Sequence, residues 1–386
     1  MKVRMDFEEM KKAVGLVNKI AKQNGSLEDA LIKIKAKGSD LELSTNGKSA
    51  GIVVKVPAQV TEDGEFVAKM SSINMLTIRS CSGNIDVVRE EDSPNEPLRL
   101  TYRNGLANMK LPATTDSFND VKQASESGVS LPIKNLAAMY KDVGFAVDKD
   151  SSNKYHAIQM DIEDDEDEIL KISMMSFNQK STAFRTSFAV KEGQLWSNGK
   201  CSCVMCPEHL SAALDVLQCE DAENAFLYVD ENHAYMKNTN VSLCIRLLDH
   251  KLPEIDKFIA NREQNNFTIS VDKAEMLEAL KCILYVSQEH KLESFNTSVE
   301  MGIMTDSLSI KNVGLSQYTE KIEAETSGLL PSLLYFDAGM LKSAVEAYPS
   351  ERVVFSGNKS KPFFWMTCGD NAEYVYCVGP RSKPKK

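Results

Sequence analysis

Apolar residues follow two different spacings along the chain, one typical of helices and the other typical of short strands. In residues 7–22 they recur every three or four positions, as on the buried face of a helix. Residues 31–36, 41–45 and 50–56 instead alternate apolar and polar positions, as half-buried strands do. The pattern therefore predicts helices that are separated by groups of short strands.

This order of elements occurs three times, and each copy spans roughly 120 to 135 residues, which is the size of a domain repeat. Each copy opens with a helix, at residues 7–22, 131–147 and 273–287. Each has a second helix further on, at residues 69–80, 207–217 and 336–348. We predict an α+β chain of three repeated domains, each with two helices packed on antiparallel sheets, at residues 1–125, 126–257 and 258–386.

Two segments with a similar sequence pattern predict the boundaries between these repeats. In residues 109–121 and 244–260 an apolar strand pattern stops at a Leu-Pro pair, and an apolar residue follows within a polar stretch. Proline has no amide hydrogen to donate to a sheet, so it ends a strand. Two helices per repeat cannot cover all the edges of its sheets. We therefore expect the repeats to pair with one another through their edge strands. A closed assembly would leave no edge exposed.

Composition places the chain among globular proteins that do not enter a membrane. It has 386 residues, of which 42% are hydrophobic and 26% charged. It has no apolar run of about 18 residues, and its first residues lack the apolar core of a signal peptide. Nine cysteines without paired spacing indicate reduced thiols. We expect a cytoplasmic protein.

The net charge of -10 argues against a protein that binds nucleic acid through an overall positive charge. Any DNA contact must then come from a local basic surface. The first helix offers one, because four lysines lie within an arc of roughly 100° opposite its apolar face: Lys11, Lys12, Lys19 and Lys22. Weaker candidates on the other helices are Lys69, Arg79, Lys134 and Lys141.

Two clusters have the residue types of a metal site, but the sequence favours a structural interpretation of both. Cys201, Cys203, Cys206 and His209 have short spacings, yet the first two alternate as on a strand and no second ligand pair is nearby. The acidic residues 163–168 lack the glycine and the final glutamate of a calcium loop, so they fit a solvated hairpin tip. We expect neither catalytic residues nor a metal or other cofactor.

Four longer segments carry a resemblance to a known family: residues 64–80, 106–121, 203–217 and 246–258. With the three-repeat order, they make nearly the whole chain similar to the bacterial DNA polymerase III beta subunit, the sliding clamp. The resemblance implies a head-to-tail homodimeric ring whose helices line a central hole around duplex DNA. Such a ring is not an enzyme; it keeps a DNA polymerase near the primer end.

The resemblance also implies a pocket between the second and third domains for short peptides of the polymerase and the clamp loader. Carried onto this sequence, it comprises His156, Ser176, Asn178, Lys180, Ser181, Pro253, Lys257, Phe258, Lys361, Pro362, Val375 and Cys377. The family's Thr-Asp-Gly/Ser-His-Arg-Leu segment is replaced here by Ser-Phe-Asn-Gln-Lys-Ser at residues 176–181. Because a polar replacement in an apolar pocket weakens or changes the anchoring of a ligand, we expect an altered peptide specificity.

At the subunit interface, the resemblance implies that Leu106 of one subunit meets Ile283 and Leu284 of the other. Ordinary core positions are the alternative interpretation of these apolar residues. Two other functions stay open on the sequence alone. A metal-dependent cytosolic enzyme or nuclease would need carboxylates that converge from different strands, and an oligomeric scaffold without DNA would not depend on the lysines of the first helix.

Overall fold

The computed structural model describes residues 1–90, 96–125, 128–165, 168–178, 180–193, 199–219, 222–254, 264–288, 298–313, 318–360, 364–368 and 373–380. In the first repeat the helices are α1 (Phe7–Gln23) and α2 (Met70–Ile73), which continues as a 3-10 turn (Asn74–Ile78). The strands of this repeat are β1 (Lys2–Asp6), β2 (Leu31–Lys37), β3 (Asp40–Asn46), β4 (Ala50–Pro57), β5 (Gln59–Glu62), β6 (Gly64–Lys69), β7 (Asn84–Val88), β8 (Leu98–Tyr102) and β9 (Ala107–Leu111).

The second and third repeats follow the same order of elements. The second has β10 (Val129–Pro132), α3 (Ile133–Gly144), β11 (Ile158–Asp164), β12 (Ile169–Asn178), β13 (Ser181–Val190), β14 (Lys200–Met205), α4 (Pro207–Gln218), β15 (Asn224–Val229), β16 (His233–Lys237) and β17 (Val241–Arg246). The third has β18 (Phe267–Asp272), α5 (Lys273–Gln288), β19 (Ser298–Ile303), β20 (Ser307–Asn312), β21 (Thr319–Gly328), β22 (Leu333–Asp337), α6 (Ala338–Ala347), β23 (Arg352–Gly357), β24 (Phe364–Cys368) and β25 (Tyr374–Val378).

The predicted fold class is confirmed: each repeat has two helices and antiparallel strands. The sequence pattern missed six strands that run directly into a helix, namely β1, β6, β10, β14, β18 and β22, and also the short β5. At three of these strand-to-helix steps an aspartate explains the change. The Asp6 carboxylate accepts hydrogen bonds from the amides of Glu8 and Glu9, that of Asp272 accepts one from Glu275, and that of Asp337 accepts one from Met340. An N-cap residue keeps an extended backbone, so a strand can continue up to it.

The contacts divide the chain into two compact units, Met1–Ala137 with Val190–Leu248 and Ala138–Ala189 with Asp249–Lys386. The first unit contains one sheet in the order β5-β1-β7-β8-β9 and another in the order β10-β15-β16-β17-β4-β3-β2-β6. The second unit contains the order β11-β12-β13-β25-β24-β23-β18-β21-β20-β19-β22. The three domain boundaries stay a prediction, because these units do not test them.

In each unit, one sheet joins two repeats through equivalent strands. In the first unit β4 pairs with β17, the last strand of the second repeat, so that Ala50 lies opposite Ile245. In the second unit β13 pairs with β25, the last strand of the third repeat, so that Ser181 lies opposite Val378. The edge-to-edge pairing of repeats that the sequence predicted therefore exists within the chain.

A small apolar cluster lies at the junction of β4 and β17. Val121, from the segment after the first repeat, is only 7% exposed and packs with Tyr235 and Cys244. Gly51 on β4 makes room for it, because a Cβ atom at this position would lie 3.0 Å from Val121 Cγ1 and 2.6 Å from Asn46 Oδ1. The segment between the repeats is thus fastened to the sheet by one buried side chain.

Replacement of Gly51 by alanine should destabilise the protein by about 1 to 3 kcal/mol, because the added methyl group overpacks the contact with Val121. The matched control is Gly15→Ala in the middle of α1, where a Cβ atom would have no neighbour within 4 Å. That change should stabilise the helix by about 0.5 to 1 kcal/mol. Urea unfolding of both variants measures the difference, and equal stabilities would contradict this view of the junction.

Candidate functional site

The four lysines of α1 lie on the side of the helix opposite its buried face. Lys12 and Lys22 are exposed, and Lys11 and Lys19 are half-exposed. Lys11 Nζ lies 3.4 Å from Glu8 Oε2, and Lys19 Nζ donates a hydrogen bond of 3.4 Å to Cys219 Sγ. The predicted basic stripe therefore exists as a surface, and its binding to DNA stays a prediction.

The weaker candidates for DNA contact differ in whether an acidic side chain already neutralises their positive charge. Arg79 directly follows the 3-10 turn and is exposed, as are Lys134 and Lys141 on α3. Lys69 instead forms an ion pair of 2.8 Å with Asp116, and this hydrogen bond lowers the pKa of the Asp116 carboxyl group. Lys69 is therefore the candidate with the least charge to offer to a phosphate.

A cavity of about 720 Å³ in the second unit contains two of the predicted pocket residues, Asn178 and Lys180. They come from the turn between β12 and β13. The other walls are the segment that follows α3 and the first turn of α6. Its lining residues are Phe145, Val147, Asp148, Lys149, Asp150, Asn153, Asn178, Lys180, Asp337, Gly339, Met340 and Ser343.

Asn178 holds two walls of this cavity together. Its Oδ1 accepts hydrogen bonds of 2.9 Å from the amides of Lys180 and Ser181, which fixes the turn. Its Nδ2 donates one of 3.0 Å to the Ala146 carbonyl oxygen in the segment after α3, and one to Ser181 Oγ. A short polar side chain at this position thus supports the cavity more than it offers a free group to a ligand.

Four more of the predicted residues are buried next to this wall and do not line the cavity. Ser176 Oγ donates a hydrogen bond of 2.5 Å to the Val143 carbonyl oxygen at the end of α3. Ser181 lies at the start of β13, and Val375 and Cys377 are buried in β25, which pairs with it. Burial raises the pKa of the Cys377 thiol to about 12, so it stays neutral. These side chains position the wall.

The remaining predicted pocket residues lie further from the cavity lining or outside the described residues. His156 does not line the cavity. A hydrogen bond of 2.6 Å joins its Nδ1 to the carbonyl oxygen of Asp148, which is a lining residue. Pro253 is half-buried and follows Leu252, whose amide donates to Gln159 Oε1. Lys257, Phe258, Lys361 and Pro362 lie outside the described residues.

The sequence analysis missed the segment after α3 and the start of α6 as cavity walls. Phe145, Val147 and Met340 supply the apolar surface, and the ring of Phe145 packs against Tyr376 at 5.4 Å between centroids. Two signals were available: the run of Asp, Ser and Asn residues in 148–153, which is typical of turns, and Asp337 as a helix cap. The lining has three aspartates and two lysines, so it is more polar than an apolar peptide groove.

The residues predicted for a subunit interface have very different environments. Leu106, in the turn between β8 and β9, is 83% exposed. Ile283 on α5 has no exposed surface, and Leu284 is half-buried. Leu106 can therefore contact a second chain directly, whereas Ile283 belongs to the core of its own unit. The contact between these residues in a dimer stays a prediction.

The cysteines and the histidine of the suspected metal cluster lie on different elements, and two of them contact other protein groups. Cys201 and Cys203 are buried on β14, and Cys206 precedes α4. The Cys206 thiol donates to Glu208 Oε2 at 2.9 Å, and burial together with this carboxylate raises the pKa of the thiol to about 11. His209 Nε2 lies 3.3 Å from the Gln23 carbonyl oxygen. A raised thiol pKa opposes the thiolate form that metals bind.

None of the nine cysteines, all of which lie in the described part of the chain, is joined to another by a disulfide bond. In the part of the chain that the structure describes, no helix combines the length and the apolar character needed to cross a membrane.

Replacement of Asn178 by alanine should destabilise the second unit by about 1 to 3 kcal/mol, because two turn amides and a carbonyl oxygen lose their partner. Lys180→Ala is the matched control, since this neighbouring side chain is exposed and its removal should change stability by about 0.5 kcal/mol or less. Thermal unfolding of the two variants measures the difference. If Asn178→Ala unfolds at the same temperature as Lys180→Ala, the hydrogen bonds of Asn178 do not stabilise the cavity wall.

Known proteins were compared with the chain in sequence and in structure. No protein-family model matches the sequence, and no curated protein is similar to it in sequence. Solved structures are similar to the chain over 99% of its length. They include the DNA polymerase III beta subunit of Thermotoga maritima (16% identity, TM-score 0.82, 100% of that chain), the beta sliding clamp of Caulobacter crescentus (14%, 0.85, 99%) and the DNA polymerase beta subunit of Streptococcus pyogenes (15%, 0.84, 100%). The chain has the fold of these DNA polymerase III beta subunits over nearly its whole length.

Proposed function

We propose that this chain is a sliding clamp: a non-catalytic DNA polymerase subunit that encircles duplex DNA as a homodimer and holds partner proteins through short peptides. The observation that carries the proposal is a pair of open strand edges. Within the chain, β4 pairs with β17 and β13 pairs with β25. The equivalent strands β21 and β9 have no such partner among the described strands.

The open edges are specific parts of these two strands. Residues 319–323 of β21 pair with β20 on one side, while the other neighbour, β18, pairs only with residues 324–328. β9 is the last strand of its sheet and pairs with β8 alone. Unpaired edges of this kind invite pairing with another chain. In a head-to-tail dimer, β21 of each copy would pair with β9 of the second copy. This pairing would have the same form as the two internal junctions, and it would close the assembly.

Charges on the two edges favour this pairing. Arg103 and Lys110, in the β8–β9 hairpin, are exposed cations. The open part of β21 presents the acids Glu320 and Glu323, of which Glu323 is exposed, together with one exposed lysine, Lys321. Opposite charges across an interface fix which surfaces meet and in which register. Exposed Leu106 adds an apolar contact at the hairpin turn.

Contact with DNA falls to the α1 lysines in this proposal. Lysines bind phosphates without reading the base sequence, which suits a protein that slides. Each strong phosphate contact also slows movement, so a small number of lysines in a chain of net charge -10 fits a mobile ring. The function needs no catalytic group, and we place the protein in the cytoplasm.

The cavity beside Asn178 is our candidate for the partner peptide site. The solved Caulobacter crescentus clamp structure is described with polyethylene glycol bound in its beta-motif tethering region. In this chain, Phe145, Val147 and Met340 offer an apolar anchor, while three aspartates and two lysines surround it. We propose that the polymerase and clamp loader that bind here carry a peptide with polar and charged side chains next to its apolar anchor.

Reversal of the charges on the β8–β9 hairpin should separate the dimer. In the double variant Arg103→Glu, Lys110→Glu, acids of β21 would face new acids, and such like-charge contacts cost several kcal/mol, so the dimer should weaken by about tenfold or more. Light scattering during gel filtration measures the mass. The added changes Glu320→Lys and Glu323→Lys should restore dimers. Lys37→Glu with Lys237→Glu, two exposed lysines on other strands, is the control. A dimer that survives the first variant would contradict this interface.

Retention on DNA tests the encircling ring. The protein is threaded onto linear duplex DNA at low salt, both ends are then blocked, and the salt concentration is raised. A ring should remain on the DNA at high salt until a nuclease cuts it, because topology, unlike phosphate contact, does not depend on salt. Release by salt alone would overturn the encircling function and favour a scaffold without DNA.

The α1 lysines should control the first association with DNA and not the retention. Lys12→Glu with Lys22→Glu should lower the slope of log affinity against log salt by about 0.9 for each lost phosphate contact. The control is again Lys37→Glu with Lys237→Glu. An unchanged slope in the α1 variant would show that its lysines do not contact phosphates.

A further inference from the structure

A second cavity, of about 350 Å³, lies in the first unit at the junction of β4 and β17. This cavity corresponds in position to part of the Asn178 cavity. In the first unit the turn before β4 forms one wall, and in the second unit the turn before β13 does the same. Its lining residues are Asn46, Gly47, Lys48, Ser49, Ala50, Gly51, Lys122, Asn232, His233, Cys244 and Arg246. No phenylalanine, tyrosine, tryptophan, leucine or methionine is among these described lining residues.

The chain itself fills the apolar part of this junction. Val121 packs against Tyr235 and Cys244, and Gly51 leaves the space that its methyl groups occupy. A peptide from another protein therefore finds no place there for an apolar anchor. What stays open to a ligand is the polar rim next to Val121.

That rim carries positive charge without carboxylates. Lys48, Lys122 and Arg246 are exposed and form no ion pair within the described residues, and none of the lining residues is acidic. Exposed Glu231 precedes the lining residue Asn232 along the chain, and Asp230 lies with its Oδ1 3.5 Å from His233 Nδ1. Its carboxylate already accepts hydrogen bonds from the amides of Asn232 and His233 and from the Tyr235 hydroxyl group.

The rest of the lining is neutral and hydrogen-bonding. Burial raises the pKa of the Cys244 thiol to about 11, so it adds no negative charge. Ser49 and Asn232 offer a hydroxyl and an amide group. The turn that carries Lys48 is held in place by Asn24, whose Oδ1 accepts hydrogen bonds of 3.3 and 3.1 Å from the amides of Ser49 and Ala50. The cations thus surround a preformed space.

We propose that this cavity binds a phosphate group, carried by a free nucleotide or by a single strand of nucleic acid. Three cations that line one cavity are best matched by a multivalent anion. The terminal phosphate of a free nucleotide brings a charge of about -1.5 to -2 and three acceptor oxygens, and a single strand brings one charge with each successive phosphodiester, whereas one carboxylate brings one charge and two oxygens. The arginine guanidinium group suits a phosphate because it can donate two parallel hydrogen bonds. This binding does not depend on the proposed clamp function.

Calorimetric titration of the full-length protein tests the site with four probes: inorganic tripolyphosphate, dATP, an oligothymidylate and a polyglutamate peptide. We expect binding of tripolyphosphate and a preference for phosphates over polyglutamate. Arg246→Gln and Lys122→Gln should each weaken this binding by about tenfold. Lys37→Gln, a distant exposed lysine, is the matched control and should bind as the parent does. Tighter binding of dATP than of the oligothymidylate identifies a free nucleotide as the source, and the reverse order identifies a single strand.

Three results would overturn the proposal: no binding of any phosphate probe, binding that Arg246→Gln and Lys122→Gln leave unchanged, or a preference for polyglutamate, which would indicate an acidic peptide. Thermal unfolding of each variant checks that it folds. Should either fail, Lys48→Gln replaces it, because Lys48 lies in an exposed turn outside the core.

Discussion

Backbone hydrogen bonding along strand edges is the constraint on which the structure depends. Each repeat has more sheet edge than its two helices can cover, and an exposed edge leaves amide and carbonyl groups without partners. The chain solves this twice by pairing a strand of one repeat with the last strand of the next, at β4 with β17 and at β13 with β25. The equivalent edges of β21 and β9 have no such partner among the described strands, so the same rule that organises one chain also supports the assembly that we propose.

The two internal junctions have diverged in chemistry while keeping their backbone pairing. Beside β13, Phe145 and Met340 leave an apolar surface open within a polar cavity. Beside β4, Val121 occupies the apolar space and leaves a basic rim around Arg246. Sheet hydrogen bonds do not constrain the side chains around a junction. One scaffold can therefore hold two sites with different ligands.

Much of the fold could be predicted from the sequence, because long helices have strong periodicity: α1 and its lysine stripe lie where the pattern placed them. The strands before helices were missed, since a strand such as Lys2–Asp6 is short and its capping residue reads equally well as part of the helix. The candidate pocket was predicted only in part. Resemblance indicated the turn at Asn178, but Met340 and Asp148 come from distant segments, and no local pattern shows that they meet.

The burial of Val121 bears on how many partners one chain can hold. A side chain of the protein itself outcompetes a free ligand for the space it fills, because it is covalently attached and so has a very high effective concentration there. The junction it fills therefore has no place for an apolar peptide anchor, and among the described residues the apolar surface at the junctions is the one beside β13. In the clamp that we propose, partners with the same apolar anchor would bind this surface one at a time, and their relative concentrations and affinities would decide which of them is bound.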